Sequence, residues 1–154
     1  MSILIKKAMV NGKQQDLFIE GNTIGSIGRR LQQRADHIID GSTLAALPSF
    51  FNSHTHAAMT LFRGWADDMP LREWLETKIW PAEAKLTEDL VYWGTKLACL
   101  EMIKGGTTFF NDMYWHWHGT ARATDEMGIR AAMSAVFIDH FDRTTADDQR
   151  KRNE

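Results

Sequence analysis

Leu47-Pro48-Ser49-Phe50-Phe51-Asn52-Ser53-His54-Thr55-His56 runs from an apolar segment straight into two imidazoles two residues apart. The apolar part reads as a short buried strand. Residues i and i+2 of a strand face the same side, so His54 and His56 aim at one point. In a parallel barrel the carboxyl end of such a strand faces the mouth of the site. Two neutral imidazole nitrogens there suit a divalent cation such as zinc, which takes three protein ligands and a water when catalytic. Spacing alone more often marks surface or core histidines, so the surroundings have to decide.

Upstream, residues 1–47 read as a small β module. Ile3, Ile5 and Ala8–Val10 lead into Asn11-Gly12, a hairpin signal because both turn positions tolerate positive φ. Asp16 to Glu20 is the return strand, Gly21-Asn22 a second turn, and Thr23–Ile27 and His37–Ile39 are further extended pieces. Downstream, residues 48–154 alternate strands and helices. A helix over Pro70–Ile79 is expected to stop before Pro81. Thr87 caps a longer helix whose apolar positions Leu90, Val91, Leu97, Leu100 and Ile103 recur at helical spacing, and Gly105-Gly106 ends it. Thr107–Asp112 is the second strand, Thr120–Met127 a helix closed by Gly128, and Ile129–Ile138 the third strand. This order argues for parallel strands with crossover helices. The polar tail from Asp142 to Glu154 reads as a loop or the start of another helix.

The bulk numbers narrow the function classes. A net charge of −2 over 154 residues gives no case for nucleic acid or an anionic membrane. Cys99 is the sole cysteine, which excludes an internal disulfide and a four-cysteine zinc site. No apolar run approaches the roughly 20 residues of a membrane helix. The amino-terminal lysines interrupt any signal peptide, so a cytoplasmic location is expected.

Other candidates carry weaker patterns. His116 and His118 form a second His-x-His, which invites a four-histidine site; an aromatic loop beyond the strand, lining a pocket mouth, is the better reading. His37 and His140 read as structural or exposed. Glu83, Asp112, Asp67 and Asp68 lie near the expected mouth, each equally a cap or a surface charge. Among the tryptophans that could wall a planar ligand, Trp74 and Trp93 sit within helices and read as core.

The whole stretch from Leu47 to Leu71, LPSFFNSHTHAAMTLFRGWADDMPL, decides the matter. With Trp74-Leu75, Ile79-Trp80-Pro81-Ala82-Glu83, Gly105-Gly106-Thr107-Thr108 and Asn111-Asp112-Met113-Tyr114, it resembles the amidohydrolase superfamily. The branch is that of methylthioadenosine and S-adenosylhomocysteine deaminases, related to triazine chlorohydrolases. The resemblance runs to about Asp142 and implies an α/β fold: the first part of a metal-dependent (β/α)8 TIM barrel, preceded by a small β-sandwich. It makes residues 1–47 the amino-terminal part of that sandwich and 48–154 the first three β/α units.

By that resemblance His54 and His56 are metal ligands, Glu83 holds the ribose hydroxyls of a nucleoside, and His116 has no agreed role. The metal is zinc, with iron or nickel as alternatives. An arginine that contacts substrate carboxylate in some members falls at Ala135, and Pro48-Ser49 stands where Pro-Gly is usual. The family's third histidine ligand, glutamate proton shuttle and metal-binding aspartate have no counterparts here, so catalytic residues are expected beyond Glu154 and the barrel is incomplete. The expected function is hydrolytic deamination of an adenine nucleoside, releasing ammonia. The alternatives are a truncated, inactive chain that binds metal weakly or assembles with other copies, and a hydrolase of another aminated or chlorinated heterocycle.

Overall fold

The computed structural model describes residues 1–138 and 143–153. The chain divides into two compact units, Met1–Pro48 and Ser49–Glu154. In the first, β1 (Ser2–Val10) and β2 (Lys13–Glu20) form an antiparallel hairpin. Its turn residues Asn11 and Gly12 have φ of +48° and +74°, the doubly left-handed geometry that matches strand twist. β3 (Thr23–Gly28) adds antiparallel to β2, while β4 (His37–Asp40) and β5 (Ala45–Ala46) pair with β1 in parallel. The result is one five-stranded sheet in the order β3-β2-β1-β4, with β5 also on β1. Ala8, Val10 and Leu17 form its small core.

The first strand is not regular. Ile5 and Ala8 pair with Leu17 and Gln15, so β1 carries one extra residue there. This bulge places Lys7 at φ +62°. Asp16 is buried beneath it, and its two carboxylate oxygens accept from the Lys7 and Leu31 backbone N–H groups at 2.8 and 2.9 Å.

The second unit is built on a parallel sheet, β6 (Phe50–Thr55), β7 (Thr107–Tyr114) and β8 (Arg130–Ala135), in that order. A 3-10 turn (Ala57–Phe62) and a run of helices connect the first two strands. The expected stop before Pro81 does not occur. α1 (Leu71–Trp74) passes through a π-helical stretch, Leu75–Ile79, into α2 (Trp80–Glu83), which contains Pro81. Widening the turn, with the Trp80 N–H donating to the Leu75 carbonyl, makes room for a proline ring that a regular helix would set against the preceding carbonyl.

α3 (Glu88–Lys104) begins as expected, with the Thr87 hydroxyl accepting from Leu90 N–H. Of the apolar positions the spacing indicated, Val91 is inside, but the rest of the buried face differs: Gly94, Thr95, Ala98 and Cys99 complete it. Leu90, Leu97, Leu100 and Ile103 are exposed, and Trp93, expected in the core, is 61% exposed. Small residues win the inner face because α4 (Trp117–Met127) and the 3-10 turn come very close. A Cβ on Gly119 would lie 2.5 Å from the Glu88 carbonyl oxygen, and one on Gly94 2.7 Å from that of Ala58. Beneath α3, Phe110, Cys99, Ala98, Ala57 and Ile129 pack together. α4 starts earlier than expected, so His118 lies on a helix and His116 is its amino-terminal cap. The third strand is shorter than expected, and α5 (Arg143–Asn153) makes the tail helical. His140, Asp142 and Glu154 lie outside the described residues.

Candidate metal centre

His54 lies at the carboxyl end of β6 and His56 just beyond it. Strict alternation does not hold between them and the rest of the strand. Asn52 and Thr55 pair with Phe110 and Asp112, which leaves one extra residue in β6 around Ser53 and His54. Asn111 compensates: its side-chain amide donates to the Ser53 carbonyl at 3.2 Å. Bulges next to sites re-aim side chains, and here the two rings meet edge to face with centroids 5.2 Å apart.

His56 is held by the next strand. Its Nδ1 is 2.7 Å from the Met113 carbonyl oxygen, and a carbonyl only accepts, so Nδ1 carries the hydrogen. The lone pair is thereby left on Nε2, the form in which imidazole takes a cation. His54 is exposed and His56 half-buried. The pair fits a divalent cation as two of its ligands. Among the described residues no cluster of three His, Cys, Asp or Glu side chains is positioned to hold a metal.

Asp112, at 3% exposure, anchors the turn that follows His56 by accepting from the Ala57 N–H at 2.7 Å. Burial pushes its carboxyl above the usual range, while the Ala57 N–H, the neighbouring His56 and the Thr120 hydroxyl pull the other way. It is a buried support for the histidine backbone and not a surface charge.

Glu83, at the end of α2, is half-buried, and its Oε2 accepts from the Trp115 indole N–H at 2.9 Å. Between this group and the histidines stands Tyr114, at 3% exposure, whose ring lies 6.1 Å from that of His56. Burial first, then the Glu83 carboxylate, raises the Tyr114 phenol far above its ordinary value. Its hydroxyl is buried without a hydrogen-bond partner among the described residues. Sequence patterning missed Tyr114 and the Met113 carbonyl, and offered Trp115 only as one of the tryptophans that could wall a planar ligand, not as the partner of Glu83. A strand-end Asp-Met-Tyr-Trp carries no spacing that marks which side chain turns inward.

The structure does not gather the remaining candidates. His116 sits at φ +50° and is exposed, and His118 is exposed with its ring stacked 3.8 Å from that of Trp117. Asp67, Asp68 and His37 are exposed.

With this geometry in view, the kinship is specific. The amidohydrolase family matches residues 45–154. A 5′-deoxyadenosine deaminase of Methanocaldococcus jannaschii is 53% identical across 99% of the chain. A 5-methylthioadenosine/S-adenosylhomocysteine deaminase of Archaeoglobus fulgidus is 58% identical across 90%. The chain spans 37% and 32% of those two proteins. Among solved structures, a zinc-bound adenosine deaminase from Xanthomonas campestris superposes with a TM-score of 0.77 at 32% identity, over 84% of this chain and 32% of its own. A zinc complex of atrazine chlorohydrolase from Arthrobacter aurescens gives 0.75 at 24% identity, over 86% and 35%.

Proposed function

The chain belongs to the amidohydrolase family, and on that footing we propose that it forms the first part of a metal-dependent adenine-nucleoside deaminase. The observation that carries this reading is the His54–His56 pair, edge to face, with His56 fixed by the Met113 carbonyl. Kinship with two deaminases at 53% and 58% identity supports the substrate class. The chlorohydrolase likeness supports the fold and not a chlorinated substrate. In this reading residues 1–47 belong to the small β-sandwich and 48–154 to the first three β/α units of the barrel.

His54 and His56 hold the cation through ring nitrogens, and zinc is favoured over iron or nickel because the adenosine deaminase that is 32% identical was solved with zinc. A bound divalent cation lowers the pKa of water enough to supply hydroxide near neutral pH. The net reaction exchanges the adenine amino group for oxygen and releases ammonia. The hydrogen bond to Met113 keeps the His56 ring from turning. Asp112 fixes the backbone after it. Glu83 accepts from ribose hydroxyls through the oxygen that Trp115 leaves free. Among the described residues no third ligand joins the two histidines, and two histidines hold a metal weakly, which favours as a second reading a chain that does not turn over by itself.

A chimera tests both. Residues 1–138 of this chain, set in place of the matching segment of the Archaeoglobus fulgidus relative, should sustain ammonia release from methylthioadenosine. His54→Ala or His56→Ala should abolish it. Undiminished turnover with both histidines replaced overturns the metal assignment. Zinc-dependent turnover by the 154-residue chain alone, lost in His54→Ala, overturns the second reading.

A further inference from the structure

A concave region lined by basic residues lies wholly within the β unit. Lys6, Lys7, Arg29 and Arg30 line one cavity of about 560 Å³. None of the four forms an ion pair with a carboxylate among the described residues. The carboxylate of Asp16 also lines the cavity; it accepts from the Lys7 and Leu31 backbone N–H groups, which hold it in place and leave its negative charge intact. Lys7 lies in the field of Asp40, which itself accepts from the Ser42 N–H. The lining thus carries four cationic residues against the one carboxylate of Asp16, with Asp40 acting on Lys7, an excess of positive charge that an anion relieves.

Backbone geometry separates this from a solvated basic loop. Lys7 and Arg30 have φ of +62° and +55°, a conformation unfavourable for side chains with a Cβ. Both are basic, both line the cavity, and the buried carboxylate of Asp16 pins the chain at Lys7 and beside Arg30, at Leu31. Strain of this kind persists where surrounding structure enforces it and clusters at binding sites. The neutral amides of Gln14, Gln15 and Gln32 complete the lining. They add hydrogen-bonding capacity without negative charge.

We propose that this cavity binds a small, multiply charged phosphate compound. Guanidinium groups fork onto phosphate oxygens, and lysines add point charge.

Calorimetric titration of the 154-residue chain with inorganic pyrophosphate at low ionic strength tests this. Saturable one-to-one binding is expected, weakened at least about tenfold by Arg29→Gln and by Arg30→Gln. The decisive variant is Arg30→Gly, which should raise thermal stability by relieving the left-handed backbone while weakening binding to the same degree. Loss of fold cannot explain that combination. Arg130→Ala, an exposed arginine in the other unit, should leave binding unchanged. No saturable binding, or equal weakening by Arg130→Ala, overturns the proposal.

Discussion

At Gly12, in the β unit, an added Cβ would meet no heavy atom within 4 Å, yet φ is +74°. At Gly119, in the β/α unit, φ is ordinary for a helix, yet an added Cβ would lie 2.5 Å from the Glu88 carbonyl oxygen. The first glycine answers a local demand of the turn. The second answers a tertiary demand, the close approach of α4 to α3. The same contrast runs through the two regions: hairpin turns set the antiparallel part of the first sheet, while the parallel strands of the second depend on helices that return to pack on them. Local chemistry builds the hairpins of one unit, and long-range packing builds the other.

Substitutions can break or sharpen that contrast, read separately in each unit by hydrogen exchange of its amides. Phe110→Ala, at a fully buried position of the β/α core, should destabilise that unit most, by about 3–5 kcal/mol, and leave the exchange of β1 and β2 unchanged. Gly119→Ala should cost about 3 kcal/mol in the same unit, although alanine is intrinsically the better helix former by about 1 kcal/mol. Stabilisation by Gly119→Ala would show that α3 and α4 are not in close contact.

Alkaline pH probes the same core. Burial pushes the Cys99 thiol up to about 11 from 9.0, with Thr124 opposing and the Asp112 charge assisting. The folded state therefore holds its thiol proton where the unfolded chain has already lost it. Stability is retained below pH 9 and falls as pH rises from about 9 to 11. The loss is about 2 kcal/mol. Cys99→Ala should flatten that limb of a urea-midpoint profile, and an unchanged slope would remove Cys99 as its cause. Gly12→Ala should cost about 1 kcal/mol, confined to the β unit, through left-handed strain alone. The smallest effect belongs to Arg63→Ala. Its paired contacts to Glu101 at 2.9 and 2.7 Å join two exposed side chains, so the urea midpoint should scarcely move.

Much of the architecture was legible because its signals are local. Asn11-Gly12 marked a turn whose two positive φ values the structure displays, and Thr87 marked a cap that it makes. Three strands separated by helical patterns marked the parallel order. The inner face of α3 was misread for a physical reason. Its leucines form the more regular apolar pattern, but closest approach selects Gly94, Thr95 and Ala98. Pro81 was misread as a stop because a π-helical turn accommodates it, and no composition rule announces such a turn.

The candidate site divides along the same line. By itself the sequence determined the two imidazoles, their place after an apolar strand, and the family signature around them. Only the tertiary structure decided how they are used. A bulge in β6 lies at His54, and the Met113 carbonyl, 57 residues from His56, selects the ring nitrogen that stays free. The Trp115 indole, 32 residues from Glu83, orients that carboxylate. A titratable group's identity is written in the chain, but its tautomer, orientation and dielectric surroundings are properties of whatever folds against it.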